Sequence, residues 1–297
     1  MTVAHTRKIL TFLSLLLVFA SAQAQLEKGV VWEITGRGLK EPSYLFGTYH
    51  LLTNSYLNEI PQVKQSLAKS KGLVVEAVID SSKLQSIAMM AIMPDKKISG
   101  MITPEEAKLI SAELEALMGV NLAAVDQLKP SSVIVLMTLT YSQKLNAEVL
   151  KKYPGQPMDV YLAVTAKKEN KTVTALETIE QQLNLLYNHF SLEEQARQLV
   201  IFVKQKEISE QSQAKLLQIY LEHDLEKLFR YADSQPKDMG DSDFLLKDRN
   251  MNWMKTLPDL IHKESQFIAV GALHLPGPDG VISLLQKQGY TVKPVTK

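Results

Sequence analysis

Two copies of a Gly-x-x-His pattern are the clearest chemical feature of this 297-residue chain. One runs from Gly47 to His50, the other runs from Gly271 to His274, and each follows a short apolar run. Neutral imidazoles are common metal ligands, so two histidines at the ends of buried strands could hold one ion. A glycine three residues earlier allows a tight backbone or leaves room for a ligand. Such spacing also arises by chance, and each histidine would then only end a strand and form local hydrogen bonds.

Glu76 is the third candidate because it lies within an apolar run, residues 73–79, that is typical of a buried strand. Alternation along that strand places Glu76 on an otherwise apolar face, near the strand's end. A carboxylate in such a position must be paired or bound to a metal. The alternatives are a glutamate paired with arginine or lysine, or a bulge that turns it towards solvent.

Arg249 and Asn250 lie on a predicted helix that spans residues 244–262. Trp253 is four residues after Arg249 and shares its helix face, so the guanidinium could lie along an aromatic surface. The alternative is an ordinary solvated helix face.

Three other polar residues have simpler interpretations. Asp159 lies at the start of a predicted helix, where an acid stabilises the helix dipole. Glu177 and Gln181 are four residues apart at another helix start, where they could cap the helix or pair with each other.

The elements that must position these residues are strands near both ends of the chain and helices between them. Apolar runs predict strands over residues 30–34, 43–49, 73–79, 171–176, 267–275 and 291–295. Periodicity and capping signals predict helices over residues 60–70, 103–118, 131–141, 157–168, 178–206, 210–231, 244–262 and 281–288. For residues 131–141 a strand is the alternative.

This order of elements predicts a mixed α/β (α+β) fold. Its central mixed sheet would be built from both ends of the chain, and its large helical middle region, about residues 80–263, would be an insertion or lid. Such a fold would bring His50 and His274 to one sheet, although 224 positions separate them in the sequence.

Residues 1–24 have the features of a secretory signal peptide: a basic start at Arg7 and Lys8, an apolar stretch over residues 9–19, and an Ala-x-Ala site ending at Ala24. The apolar stretch is shorter than the roughly 20 residues of a membrane span. We therefore expect an exported chain, periplasmic or secreted, in which residues 25–297 form one domain without stable membrane insertion. An uncleaved anchor is the alternative.

The composition argues against several classes of site and partner. The chain contains no cysteine, which excludes disulfides and cysteine-based zinc or iron–sulfur sites. The formal net charge is +1 and no block of lysine and arginine stands out, which argues against nucleic acid or an anionic membrane as the main partner.

An ordered set of short motifs resembles the TraB/GumN family over roughly residues 28–297. The set comprises residues 45–50, 75–76, 158–159, 176–178, 249–250 and 271–280, followed by Leu284-Leu285 and Gly289-Tyr290. The family is similar to the TIKI extracellular metalloproteases, and more distantly to erythromycin esterases and a haem-binding protein of the ChaN type. The resemblance implies a mixed α/β core and an active centre of His50, Glu76 and His274, with Arg249 and Asn250 nearby.

Two hypotheses of different class follow. The first is a metal-dependent hydrolase, in particular a peptidase acting on a peptide or protein substrate. His50 and His274 would hold a divalent ion, manganese or cobalt by the TIKI resemblance, and Glu76 would be a third ligand or the general base. Arg249 or Asn250 would stabilise the oxyanion. The second is a non-catalytic envelope protein that binds a peptide, haem or a partner protein, for which the helical middle and the Met-rich residues 89–93 offer a surface. The sequence gives no indication of the oligomeric state.

Overall fold

A computed structural model describes residues 28–78, 81–235 and 243–296. The predicted signal peptide, residues 1–24, lies outside these ranges. The described strands are β1 (Val31–Thr35), β2 (Ser43–Thr48), β3 (Gly72–Val75), β4 (Thr172–Ala175), β5 (Gln266–Gly271) and β6 (Thr291–Pro294). The described α-helices are α1 (Pro61–Lys69), α2 (Leu84–Met90), α3 (Pro104–Met118), α4 (Leu122–Val125), α5 (Pro130–Leu145), α6 (Ala147–Lys152), α7 (Met158–Lys168), α8 (Ile179–Asn188), α9 (Leu192–Lys204), α10 (Lys206–Leu221), α11 (Leu225–Asp233), α12 (Lys247–Trp253), α13 (Leu257–Lys263) and α14 (Val281–Lys287).

The six strands form one mixed sheet in the order β4-β3-β5-β2-β1-β6. The first four strands in this order are parallel, whereas β1 pairs antiparallel with both β2 and β6. The predicted mixed α/β fold, with strands from both ends of the chain, is therefore confirmed. The helical middle also contributes an edge strand, β4, which pairs with β3.

The parallel pairing of β2 and β5 brings the two Gly-x-x-His patterns together. Gly47 pairs with Val270, and Thr48 pairs with Gly271, so the two patterns run side by side with an offset of one residue. On the other side of β5, Val75 pairs with Ala269. The carboxyl ends of parallel strands share one edge of the sheet, which is where open α/β sheets place their ligands.

Two predicted strands end earlier than the apolar runs that predicted them. β3 stops at Val75, so Glu76 lies one residue beyond the strand rather than within it. β5 stops at Gly271, and His274 lies in a following 3-10 turn, Ala272–His274. The residues that follow both strands are themselves partly or fully buried, and most of them are apolar. The apolar pattern therefore could not mark where the strand pairing ends.

Three predicted long helices are each divided by a turn. Ser191 caps α9 by accepting the Glu194 N–H, which separates α9 from α8. Asp224 caps α11 in the same way, directly after His223, whose φ of 56° cannot continue a helix. Helix α12 ends at Trp253, and α13 begins at Leu257 with Pro258 in its first turn. Apolar periodicity persists across these short turns, which is why the sequence predicted single helices.

Two hydrophobic clusters stabilise the described part of the chain. The first surrounds the sheet and includes Trp32, Phe46 and Phe267. The second lies in the helical middle and is built mainly by α3, α5 and α9. Helix α10 packs against α5 and also contributes Leu217 and Tyr220 to the first cluster, so it connects the two regions. In the described ranges no helix is long and apolar enough to cross a membrane.

Candidate active site

The carboxyl edge of the sheet brings His50, Glu76 and His274 around one point beside Gly271. A methyl group built on the Gly271 Cα would lie 3.2 Å from Glu76 Oε1, 3.5 Å from His274 Cδ2 and 3.7 Å from His50 Nε2. The absence of a side chain at residue 271 therefore leaves a space that all three candidate residues border. Residues far apart in the sequence meet here because β2, β3 and β5 are adjacent and parallel.

His50 lies on the loop after β2 and is held by the start of α7. Its Nδ1 is 3.1 Å from Asp159 Oδ2, and the neighbouring Tyr49 N–H lies 3.5 Å from the sulfur of Met158. A carboxylate only accepts hydrogen bonds, so Nδ1 carries a hydrogen and Nε2 is the atom directed towards Gly271. The hydrogen bond with Asp159, together with the negative charge of Asp159, raises the pKa of His50 above its ordinary value.

His274 has the same arrangement of nitrogens but is buried. Its Nδ1 lies 2.7 Å from Asn250 Oδ1, and its Nε2 lies 3.0 Å from Arg249 Nη1. Arginine only donates, so Nε2 accepts, Nδ1–H donates to Asn250, and the ring is neutral. Burial lowers the pKa of His274 to about 3, which agrees with a neutral imidazole at neutral pH.

Both carboxylate oxygens of Glu76 are hydrogen-bonded. Oε1 accepts the Gly271 N–H at 2.6 Å. Oε2 accepts from Arg249 Nη2 at 2.6 Å and from Gln182 Nε2 at 3.0 Å. The side chain is 13% exposed, so this carboxylate is held in place by partners from three different parts of the chain.

The surroundings of Glu76 favour its charged form. Burial opposes ionisation, but the positive charges of His274, Arg249 and His50, with the Gly271 N–H, lower the pKa of Glu76 to about 2. Because His274 is neutral at neutral pH, the Arg249 guanidinium is the permanent charge that keeps Glu76 ionised there.

Arg249 on α12 connects the carboxylates at the sheet edge. Its Nε donates to Glu177 Oε1 at 2.9 Å, its Nη2 also contacts Glu177 and Glu76, and its Nη1 donates to the Leu245 carbonyl at 3.1 Å. The guanidinium lies 5.0 Å from the Trp253 ring centre, as the sequence predicted. The alternative of a solvated helix face is wrong for this side chain, which is 13% exposed.

Asn250 is buried beside Arg249 and joins α12 to the C-terminal segment. Its Nδ2 donates to the carbonyls of His274 at 3.1 Å and Asp279 at 2.9 Å, while its Oδ1 accepts from His274. All the hydrogen-bonding groups of this amide are engaged, so Asn250 fixes both the backbone and the ring orientation of His274.

Three residues of this cluster were not predicted as part of a site. Asp159, interpreted as a helix-dipole residue, contacts His50. Glu177, interpreted as a capping or pairing residue, is buried and ion-paired with Arg249. Gln182 joins the two glutamates, since its Nε2 donates to Glu177 Oε1 at 2.9 Å as well as to Glu76. The available signals for Glu177 were its place in the family motif of residues 176–178 and its place directly after the predicted strand over residues 171–176. That strand is β4, which is parallel to β3.

The donor atoms suit a divalent ion, although they are not yet arranged around one. Among the described residues, no group of three or more His, Asp or Glu side chains is already positioned to hold a metal ion. Each histidine nevertheless engages its Nδ1 with a side-chain oxygen, as metal-ligating histidines do, and Glu76 Oε1 lies 3.9 Å from His274 Nε2. Arg249 Nη1 would have to leave His274 Nε2 for that atom to bind an ion.

A cleft of about 230 Å³ opens over this cluster. It is lined by His50, Glu76, Gln182, Leu185, Leu186, Leu245 and Arg249. The lining therefore combines four charged or polar residues with three leucines, which we call the leucine wall.

Comparison with known proteins gives one match. The family model described as the TraB/PrgY/gumN family matches residues 30–294, which include every residue of the cluster. No curated protein and no solved structure matches the chain.

Proposed function

Because this chain belongs to the TraB/PrgY/gumN family, we propose that its site hydrolyses a peptide or protein substrate with the help of a divalent metal ion. The observation that carries this proposal is the convergence of His50 Nε2, Glu76 Oε1 and the His274 ring around the space beside Gly271. An exported location, periplasmic or secreted, is part of the same proposal and is supported by the signal-peptide features of residues 1–24.

His50, Glu76 and His274 would hold the ion, for which manganese and cobalt are the candidates. When bound, such an ion lowers the pKa of a water molecule and polarises a carbonyl group. The charge of the cluster favours a cation, since it contains three carboxylates, those of Glu76, Asp159 and Glu177, whereas Arg249 is its one guanidinium and His274 is neutral.

The pKa values separate the roles that the sequence left open for Glu76. A general base works best when its pKa is near the working pH. Glu76, with a pKa of about 2, is a weak base and is better suited to be a ligand. His50, whose Nδ1–H is engaged by Asp159, would bind the ion through Nε2, so it too is assigned as a ligand rather than as the general base.

Arg249 and Asn250 would position the carboxylates and His274 rather than carry out the chemistry. Asn250 donates to two backbone carbonyls, so no donor is left for an oxyanion. Arg249 is engaged by two carboxylates, an imidazole and a carbonyl, and it would stabilise an oxyanion only after releasing one of them.

The test uses two glycine-to-alanine variants of the purified chain. In Gly271→Ala the added methyl group fills the space shared by the three ligands, and the backbone conformation there is open to alanine. In Gly100→Ala, the control, the methyl group meets nothing within 4 Å. We expect calorimetry to show about one Mn²⁺ or Co²⁺ per wild-type chain, with at least tenfold weaker binding in Gly271→Ala and none of this loss in Gly100→Ala.

Activity is measured on a mixture of synthetic peptides with added Mn²⁺ or Co²⁺, using mass spectrometry to identify products. We expect wild type and Gly100→Ala to cleave the peptides. We expect His50→Ala to lose cleavage because it lacks one of the three ligands of the ion. His50 is on the surface, so its replacement leaves the core intact. Equal cleavage by wild type and Gly271→Ala would contradict the proposal. Saturable peptide binding without any product would instead favour the non-catalytic envelope protein.

The cleft does not favour haem as the ligand of such a binding protein. Sites for drug-sized ligands have volumes of roughly 300–1,000 Å³. The cleft over the cluster, at about 230 Å³, is smaller than any site in that range. Haem is larger than many drug-sized ligands, so it needs more space than this cleft offers.

A further inference from the structure

We infer that the cleft binds one apolar side chain of the substrate next to the reactive groups, and that Leu185, Leu186 and Leu245 select for it. The inference rests on the proposed function for the identification of the substrate as a peptide. It adds a substrate class to that proposal: peptides with leucine, methionine or phenylalanine beside the bond that is cleaved.

The composition and size of the cleft suit one large apolar side chain. Leu185, Leu186 and Leu245 line it together with His50 and Glu76, so a group bound there can contact both leucine side chains and the polar cluster. A dry cavity of about 150 Å³ can hold a benzene molecule. The cleft volume of about 230 Å³ therefore accommodates one large aliphatic or aromatic side chain.

Helix α8, which carries two of the three leucines, is attached to the reactive cluster by hydrogen bonds. Gln182 on this helix donates to both Glu76 and Glu177. Leu185 and Leu186 follow Gln182 by three and four residues, so they share its face of the helix. The hydrogen bonds of Gln182 thus fix the distance between the leucine wall and the Glu76 carboxylate. They also explain why Leu186 is kept on this surface although its side chain is 37% exposed.

Leu245, the remaining leucine of the wall, is attached to the cluster in the same way. The Leu245 carbonyl accepts from Arg249 Nη1, which connects this residue to the cluster. Its neighbour Phe244 stacks on His189 with ring centres 3.8 Å apart and contacts Phe190 edge-on at 5.6 Å. The segment around Leu245 and the end of α8 therefore hold each other in place, and the two parts of the leucine wall form a single surface.

The same wall disfavours charged side chains. A carboxylate placed there would lose water to leucine side chains and would face the ionised Glu76. An ammonium group would lose its hydration against the same leucines, and the Glu76 carboxylate that could attract it is already paired with Arg249. Glycine would fill little of the cleft. The chemistry therefore distinguishes large apolar side chains from all three of these.

The first experiment measures binding without turnover. Wild-type chain with ¹³C-labelled leucine methyl groups is titrated with N-acetyl-leucinamide and, separately, with N-acetyl-aspartamide and N-acetyl-glycinamide, and NMR spectra are recorded. We expect saturable shifts of the Leu185, Leu186 and Leu245 methyl signals with the leucine probe, and at least fivefold weaker binding of the other two. Absence of these shifts in wild type would overturn the inference, whether or not peptides are cleaved.

A pair of surface variants provides the control. Leu186→Asn replaces part of the wall with a polar group, whereas Leu139→Asn makes the same change on α5, where the leucine is 44% exposed and does not line the cleft. We expect Leu186→Asn to weaken binding of the leucine probe at least fivefold and Leu139→Asn to bind as wild type does. Equal binding by both variants would overturn the inference.

The second experiment separates this inference from the proposed function. Peptide mixtures are digested by wild type and Leu186→Asn, and the residues that flank each cleaved bond are counted. Cleavage enriched in leucine, methionine or phenylalanine at one flanking position, with weaker enrichment in Leu186→Asn, supports both proposals. Cleavage without that preference overturns the inference alone. Probe binding to the three leucines without cleavage supports the apolar site and counts against the hydrolase.

Discussion

His50 and His274 have opposite electrostatic surroundings although both end a Gly-x-x-His pattern. His50 is exposed, and its contact with Asp159 raises its pKa. His274 is buried against Asn250 and Trp253, and burial lowers its pKa to about 3. At neutral pH the buried ring is fixed in one neutral form, whereas the contact with Asp159 favours the protonated form of the exposed ring. The repeated pattern therefore places one imidazole in a buried setting and the other at the surface.

The pKa of His50 gives a prediction for a single residue. Asp159→Asn removes the negative charge and the charged hydrogen-bond acceptor, so we expect the pKa of His50 to fall. The measurement is an NMR titration of the His50 imidazole signals. Asp259→Asn, which removes an exposed acid at the start of α13, is the control and should leave the titration unchanged. A midpoint for Asp159→Asn equal to or above that of wild type would contradict the prediction.

Sequence reasoning reached part of this cluster and missed a defined remainder. His50, Glu76, His274, Arg249 and Asn250 were predicted because their residue types are unusual beside apolar strands or match family motifs, and the structure brings them together. Asp159 and Glu177 lie within two of the same family motifs, residues 158–159 and 176–178, but their residue types also fit ordinary helix starts, and Gln182 carries no such signal. Their roles depend on which strands are adjacent and on the way that α7 and α8 meet the sheet edge, and neither is encoded in local spacing.

At the scale of elements, the two glycines of the repeated pattern do different things. Gly271 leaves space inside the site. Gly47 allows β2 to pack closely against the turn that carries His274, since a methyl group on Gly47 would lie 3.0 Å from Ala272 Cα and 3.4 Å from Leu275 Cδ2. The Tyr220 hydroxyl on α10 donates to the Gly47 carbonyl at 2.8 Å and fixes the same point from the helical side.

This packing predicts the sign of a stability change. Replacing glycine by alanine within a strand normally stabilises a protein by about 0.4–1 kcal/mol where the backbone permits it. For Gly47→Ala the close contact with the Ala272 backbone reverses the sign, and we expect a loss of about 1–3 kcal/mol in the free energy of unfolding. Urea denaturation measures it, with Gly100→Ala as the matched control. A variant as stable as wild type would show that the turn after β5 can move away.

The strands were easier to predict than the helix boundaries for a physical reason. A buried parallel strand is a short apolar run between turn residues, and all six predicted strands appear in the sheet. Helix boundaries depend on single capping residues such as Ser191 and Asp224, which are common elsewhere in the sequence. The sheet order depends on contacts between distant segments, so β4 could be recognised as a strand but not placed beside β3.

At the scale of the whole molecule, the site lies where the edge of the sheet meets the helical middle. The sheet edge belongs to the first cluster, whereas α8 and its leucines belong to the helical middle, which has a second cluster of its own. Gln182 and Arg249 are the polar connections across this boundary. Any displacement of α8 from the sheet edge would therefore break the hydrogen bonds of Gln182 to Glu76 and Glu177.

The buried cluster makes the stability of the whole chain sensitive to acid. His274 has a pKa of about 3 in the folded protein and an ordinary value of 6.5, so between these values the unfolded chain binds a proton that the folded chain excludes. The free energy of unfolding should therefore decrease as the pH is lowered through this window, by about 1.4 kcal/mol per pH unit from this residue alone. Glu76, lowered from 4.5 to about 2, acts in the same direction at lower pH. Urea midpoints at pH 7, 6, 5 and 4 should therefore decrease more steeply for wild type than for His274→Gln. Parallel curves would show that His274 protonates without unfolding the chain.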